Sequence, residues 1–376
     1  MRLSTLLRFA ATILAVLLAL NSTAQEADDI VIGQTSALSG ILAELGQANT
    51  RGSQAYFDYV NALGGVNGRK IRIITLDDRY DTDKAVANVK QLIEQDKALA
   101  LFGIVGIPAN LAIMPLIAQA GIPNFAPYTG SDVMRTPHNR LVFNVRASYS
   151  DEIDKIVEHL DIRGIKQVGV AFQNNAFGSE GLALIEQALA KRKLRLAAKA
   201  GINNDSSNVE QAVSTLAEAK VHAVVLITVG KPSIDFIKSY NKRQQGTQFF
   251  ALSVMASQSS INALGKDGVG VIVSQVSPFP FSATSSLVRE YQRVMKKMDI
   301  KEYSYASMEG YLNAKIFTEA LRRAGRNISR DSLIASLEGM SKVDFDGYLV
   351  NFSKANHQGS HQVELTVISK DGKFLR

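Results

Sequence analysis

Asp29-Ile30-Val31-Ile32-Gly33, a helical pattern from Ala48 to Ala62 closed by Gly64-Gly65, and Lys70 to Leu76 (KIRIITL) form the stretch on which the fold turns. The outer pieces are short and rich in β-branched residues, as strands are; the middle piece has helical spacing and a glycine stop. The alternation continues. Thr82 to Gln95 is a helix with apolar residues at 85, 86, 89, 92 and 93, followed by a strand at Ala98 to Phe102. A third helix spans Ile107 to Ala120 and a fourth strand Pro123 to Ala126. Strands separated by helices in this rhythm predict a parallel sheet covered on both faces.

The rhythm then restarts. Helices are expected at Ser150 to Leu160, Ser179 to Lys191, Val209 to Ala219, Ser233 to Gln244, Tyr305 to Ala324 and Arg330 to Leu337. Strands are expected at Gln167 to Phe172, Arg195 to Ala200, Ala223 to Thr228, Phe249 to Leu252 and Val269 to Val276, with two more near Leu349 to Phe352 and Val363 to Ser369. This describes two α/β lobes in series, with Leu141 to Arg146 as a candidate crossing between them. No tandem repeat, low-complexity tract or Gly/Ser linker separates the lobes.

The N-terminus reads as an export signal. Arg2 and Arg8 give a basic start, an apolar run extends from Leu6 to Leu20, and small residues precede a cut after Ala24. The run is too short and too poorly flanked for a membrane span. The expected location is therefore the periplasm.

Bulk composition is that of an ordinary globular chain: 376 residues, 46% apolar and 20% charged. That length exceeds what one core usually serves. The formal charge is +7, two units of it in the leader, and the cations are scattered; Lys191-Arg192-Lys193 lies where cations suit a helix C-terminus. A nucleic-acid surface needs a denser basic stripe, so none is expected. The chain has no cysteine, which removes disulfides, thiolate metal sites and cysteine nucleophiles together.

Several short stretches then carry a resemblance. Ile32-Gly33-Gln34-Thr35-Ser36-Ala37-Leu38-Ser39-Gly40, Gly46, Gly64-Gly65-Val66-Asn67-Gly68-Arg69 and Asp77-Asp78 are similar to the start of the leucine/isoleucine/valine-type periplasmic binding proteins, soluble receptors of ABC importers. Pro127-Tyr128-Thr129-Gly130, Phe143-Asn144-Val145-Arg146, Ala176-Phe177-Gly178 and Ser307-Met308-Glu309-Gly310-Tyr311 extend it over essentially the whole chain after the leader. Each motif is short; their order and spacing carry the match. The resemblance implies the type I periplasmic binding fold: two Rossmann-like lobes with parallel-type sheets, joined by three hinge crossings and closing on a small ligand. The crossings are expected near residues 143–148, 275–280 and 344–349. Lobe one would comprise 25–145 and 278–345, lobe two 146–277 and 346–376. The implied partners are a small-molecule ligand and inner-membrane permease subunits, with a monomeric receptor and no cofactor.

Ligands of open parallel α/β sheets bind at the carboxyl ends of the strands. In lobe one this selects Ser39, then Gly106, Ile107 and Pro108, then Tyr128, Thr129, Gly130 and Ser131. The resemblance implies that the last two of these loops grip a ligand carboxylate through hydroxyls and backbone amides. Thr129 and Ser131 equally suit capping of the following turn. In lobe two, Phe177 matches an aromatic that covers the ligand in similar proteins, and Gly230, Lys231 and Ser253 complete the wall. Amino-acid receptors of the family usually carry an acid near the position of Ser253, to pair with the ligand ammonium. Its loss leaves an amino acid, a carboxylic acid or an aromatic acid open. Lys231 is either a second anion contact or a solvated lysine; Glu309 either replaces the lost acid or serves the hinge.

Other signals are set aside. His357 and His361 have a metal-like spacing but sit in a turn, and Asp77, Asp78, Asp81 and Asp83 lack the glycine and closing glutamate of a calcium loop. No nucleophile elbow, phosphate loop or zinc-protease motif occurs, so catalysis is not expected. A sensor of the same fold, signalling to a membrane partner, is the alternative reading.

Overall fold

The computed structural model describes residues 28–376, and the expected leader with its cut after Ala24 lies outside them. Lobe one opens with β1 (Ile30–Ser36), α1 (Ala43–Ala62), β2 (Ile71–Asp77), α2 (Thr82–Glu94) and β3 (Ala100–Phe102). It continues with α3 (Ile107–Ala112), α4 (Met114–Ala120), β4 (Asn124–Phe125) and β5 (Val142–Phe143). The strands pair in the order β2-β1-β3-β4-β5, parallel throughout. The single helix expected over 107–120 is two, because Pro115 has no N–H to continue the ladder and instead sits in the first turn of α4.

The chain then crosses to lobe two. Here lie α5 (Tyr149–Ile162), β6 (Gln167–Gln173), α6 (Ala176–Lys191), β7 (Arg195–Ile202), α7 (Val209–Glu218), β8 (Ala223–Ile227), α8 (Lys231–Arg243), β9 (Gln248–Ala251), α9 (Gln258–Leu264) and β10 (Ile272–Gln275). Every residue of β8 (AVVLI) is buried, as expected of a strand covered on both faces. After β10 the chain returns to lobe one with α10 (Ser286–Lys297), α11 (Tyr305–Arg323), α12 (Arg330–Glu338), β11 (Val343–Asp344) and β12 (Leu349–Val350). Last come β13 (Glu364–Ile368) and β14 (Phe374–Leu375), added antiparallel to the second sheet in the order β14-β13-β10-β9-β8-β6-β7.

Two differences from the sequence reading matter. Helix α10 was not among the expected helices, although Leu287, Val288, Tyr291, Val294 and Met295 make a buried stripe behind the N-cap Ser285. The final return also lies beyond the boundary expected at 345. Phe345, Tyr348, Val350 and Phe352 all pack in the lobe-one core, and Asn144 bridges Gln358, so the chain rejoins the second sheet only at β13. The apolar residues at 348, 350 and 352 alternate into that core, which holds this segment on lobe one.

Helix α11 is fixed hard against α1. A Cβ on Gly52 would lie 1.9 Å from the Ser307 carbonyl oxygen, and one on Gly310 would lie 2.0 Å from that of Asn49. Only glycine lets the two backbones touch here. The contact carries Glu309 to the inner face of lobe one. Behind it, Phe102, Phe125 and Phe317 pack with ring centroids 5.1–5.9 Å apart.

Candidate functional site

The two lobes enclose a cleft at the carboxyl ends of their strands. Its larger chamber is a space of about 420 Å³. Lobe one supplies Leu42, Leu45, Tyr80, Val105, Gly106, Ile107 and Tyr128; Tyr149, Phe177, Val229 and Val254 face them. The walls are aliphatic and aromatic, with tyrosine hydroxyls as the polar side-chain atoms. Gly106 has φ +87°, and a Cβ there would lie 2.5 Å from the Tyr80 ring, so glycine is required for that ring to close the wall. Phe177 packs on Tyr149 at 5.2 Å between ring centroids. Burial pushes the Tyr80 hydroxyl up to about 12, and raises Tyr149 as well, so both rings stay neutral.

A second, smaller chamber of about 250 Å³ adjoins the first; Leu45 and Tyr128 line both. Its walls are more polar: Ser253, Gln275, Ser277, Tyr305 and Glu309, with Ala256, Val276 and Ala306. Behind them lies a buried charge network. Arg146, on the first crossing, stands 3.4 Å from Glu152 and 3.6 Å from Glu309, with its guanidinium 5.1 Å from the centre of the Tyr128 ring. It also donates to the Ser253 hydroxyl. Burial alone would lower Arg146, but the Glu309 and Glu152 carboxylates outweigh it and hold the side chain charged. Glu152 is the better satisfied of the two acids, accepting from Ser253 N at 2.8 Å, Ser253 Oγ at 3.0 Å and Ser274 Oγ at 2.5 Å. For Glu309, burial outweighs Arg146 and raises the carboxyl.

The mouth of the cleft is held shut by two carboxylates reaching across it. Glu180 on α6 accepts from Ser131 Oγ at 2.7 and 2.9 Å and from Asp132 N at 2.7 Å. Glu44 on α1 accepts from the backbone N–H of Ser259 at 3.1 Å and from its hydroxyl. Each acid thus caps the start of a helical turn in the opposite lobe. The structure is a closed form.

These placements sort the residues singled out in the sequence. Gly106, Ile107, Tyr128 and Phe177 line the apolar chamber; Ser253 and Glu309 line the polar one. Ser131 is engaged by Glu180, and Thr129 Oγ1 accepts from Ser131 N at 3.2 Å, the capping role. Gly130 backs the Tyr149 ring, where a Cβ would clash at 2.5 Å. Ser39 donates to Asp77 at 2.6 Å, which also accepts the Leu38, Ser39 and Arg79 amides, and neither chamber is lined by Ser39 or Pro108. Gly230 (φ +64°) starts α8 beside the wall residue Val229. Lys231 turns outward: its side chain is 65% exposed and paired with Asp235. Tyr80, Tyr149, Arg146, Glu152 and Gln275 were not anticipated. Tyr149 carried a signal, since it directly follows Ser148, the N-cap of α5. Away from the cleft, His357 is buried with Nδ1 3.1 Å from the Val142 carbonyl, and His361 lies 3.0 Å from Asp151. No group of three potential metal ligands occurs among the described residues.

Comparison with known proteins fits this geometry. The model of a family described as "Periplasmic binding protein" matches residues 29–373. The chain belongs to the periplasmic binding protein family. Among curated relatives, "Leu/Ile/Val-binding protein homolog 8" of Brucella suis biovar 1 is 24% identical, covering 95% of this chain and 93% of its own. A substrate-binding periplasmic protein from Ralstonia solanacearum is 32% identical, with a TM-score of 0.85 over 92% of this chain and 99% of its own. A possible leucine/isoleucine/valine-binding protein from Rhodopirellula baltica is 28% identical, with a TM-score of 0.88 over 95% of this chain and 98% of its own. Membership places this periplasmic binding protein outside the cytoplasm, among proteins that bind small ligands for ABC transporters. Its relatives are binding proteins rather than enzymes.

Proposed function

We propose that the chain is the solute receptor of an ABC importer, exported by a leader cut after Ala24. It captures a small solute with an apolar body by closing its lobes, and hands it to permease subunits in the inner membrane. The observation that carries this reading is the apolar chamber walled by both lobes and shut by Glu180 and Glu44. Gly106, Ile107, Tyr128 and Phe177 hold the solute's body, with Tyr80 and Tyr149 beside them. A leucine or phenylalanine side chain buried there gains about 1.5–3 kcal/mol from leaving water. The curated relatives and one structural neighbour carry leucine, isoleucine and valine in their names, which agrees with a solute of this size and polarity.

The test is a thermal-shift screen of protein stripped by unfolding and refolding. The panel holds aliphatic and aromatic amino acids, their amides, and aliphatic, aromatic and dicarboxylic acids. A ligand at a hundred times its dissociation constant adds about 2.7 kcal/mol, a readily seen shift. A shift with at least one apolar-bodied compound is expected. Shifts with dicarboxylates alone would contradict an apolar chamber as the binding site.

A further inference from the structure

The walls of the two chambers bear on the charge of the solute. Among the described residues no charged side chain lines the larger chamber. Its polar side-chain atoms are the hydroxyls of Tyr80, Tyr128 and Tyr149, and burial raises all three, so they stay neutral. The charges around the cleft are committed to protein partners. Glu180 accepts from the Ser131 hydroxyl and the Asp132 amide, so a carboxylate of the protein already sits on the donors of that loop. Lys231 pairs with Asp235 on the outside. Glu309 lines the smaller chamber, but its Oε1 faces Arg146 Nη1 at 3.6 Å; neither atom makes a hydrogen bond, and the two form an ion pair. Arg146 also meets Glu152 at 3.4 Å. Its Nε is unpartnered, but Arg146 lines neither chamber.

A charged solute would therefore meet competition at either end. An ammonium would have to share Glu309 with Arg146, and a carboxylate would have to displace Glu180 from Ser131 or Glu309 from Arg146. A buried charge without a partner of its own is costly. Two neutral groups of the smaller chamber stand free. Gln275 is 1% exposed, and its Oε1 is unpartnered. Thr366 Oγ1 donates to the Val273 carbonyl at 3.1 Å, so it accepts from Gln275 Nε2, also at 3.1 Å, which leaves the carbonyl oxygen as the open end. The Tyr305 hydroxyl, 5% exposed by residue, is unpartnered too, and it donates as well as accepts. One acceptor and one donor suit a head group that both donates and accepts.

We propose that the solute is uncharged: an apolar body in the larger chamber, ending in a hydroxyl or primary amide that donates to Gln275 Oε1 and accepts from the Tyr305 hydroxyl. This rests on the solute-receptor reading of the same cleft. Leu45 and Tyr128 line both chambers, so a solute with its body against Phe177 reaches the smaller chamber with its head. A neutral head leaves the pairing of Arg146 with Glu309 and of Glu180 with Ser131 intact as the lobes close. Gln275 is the specificity-determining residue, because its open carbonyl selects a head that donates.

The test compares matched probes on the full exported chain by calorimetry. The aliphatic set is 4-methylpentanamide, 4-methylpentanol, 4-methylpentanoate, 4-methylpentylamine and leucine. The aromatic set is 3-phenylpropanamide, 3-phenylpropanol, 3-phenylpropanoate, 3-phenylpropylamine and phenylalanine. In at least one set the wild type is expected to bind the amide or the alcohol about a hundredfold more tightly than any charged member, the scale of leaving one ion unpaired in a closed site. Gln275→Met should weaken the neutral probe about tenfold, the scale of one lost hydrogen bond. Gln275→Glu places a carboxylate at the open position and should turn the preference towards the amine. Both variants are expected to keep the wild-type circular dichroism spectrum. A charged member that binds the wild type as tightly as the neutral ones overturns the inference and leaves the receptor reading standing. So does a neutral preference that is unchanged in both folded variants. Failure of every probe to bind overturns the receptor reading, and this inference with it.

Discussion

Replacing Glu180 by alanine removes the carboxylate that spans one side of the cleft mouth. In the closed form it accepts from two donors of the opposite lobe, the Ser131 hydroxyl and the Asp132 amide, at 2.7–2.9 Å. Hydrogen bonds to a charged group are worth about 1.5–3 kcal/mol each. Glu180 is partly exposed, and water takes over both donors on opening, so about 2 kcal/mol for the pair is the appropriate figure. The loss falls on closure, not on folding. Ligand affinity should therefore weaken about 30-fold, chiefly through faster release. The ligand-free melting temperature should move little. Ser131→Ala keeps the Asp132 contact and should lose about half as much free energy. Titration calorimetry reads the dissociation constant of the tightest ligand from the screen, and stopped-flow tyrosine fluorescence reads its release. A Glu180→Ala protein that binds within twofold of wild type would refute the reasoning, because the contact would then contribute nothing to the closed state.

Three further outcomes are expected. Gly106→Ala puts a Cβ 2.5 Å from the Tyr80 ring at φ +87°, and should lower stability in urea melts by about 1–3 kcal/mol. Asp151 raises the His361 imidazole through their hydrogen bond, and His361 in turn lowers Asp151. The raised imidazole contributes fully below about pH 6.5 and loses its effect as pH climbs through the folded value. The lowered carboxyl contributes above about pH 3.9 and is lost as pH falls below it. His361→Ala should thus destabilise the protein most near pH 5–6, by less than about 1 kcal/mol for so exposed a pair, and hardly at all at pH 9. Glu309→Gln leaves the buried Arg146 guanidinium with Glu152 as its nearest remaining carboxylate, and should lower stability in urea melts at pH 7 by about 3 kcal/mol, the scale for breaking a buried ion pair.

Much of this architecture was legible because parallel α/β sheets write a local signal. The runs at 167–173 and 223–227 are nearly continuous and apolar, the run at 71–77 is β-branched around Ile71, Ile73 and Ile74, and a helix follows each. Helix α10 is equally legible in its apolar stripe at 287, 288, 291, 294 and 295, although it is missing from the helices expected from the sequence. The break at Pro115 and the late return of residues 348–352 depend on partners far away in sequence. The site divides the same way. Gly106, Ile107, Tyr128 and Phe177 follow strands, where the topology alone puts ligands. Tyr80 was hidden because its direction depends on a left-handed turn at Arg79 and Tyr80. Lys231 shows the opposite limit: a strand-end position fixes the Cα, but pairing with Asp235 decides where the ammonium goes. The network of Arg146, Glu152 and Glu309 joins three elements, and no spacing in the sequence announces it.

The central claim is that the lobes close on a small solute, and small-angle scattering tests it most directly. Ligand-stripped protein should show a larger radius of gyration than the closed form described above. Addition of a ligand found in the screen should bring the radius down to the closed value. Scattering curves that superimpose with and without saturating ligand would contradict the account.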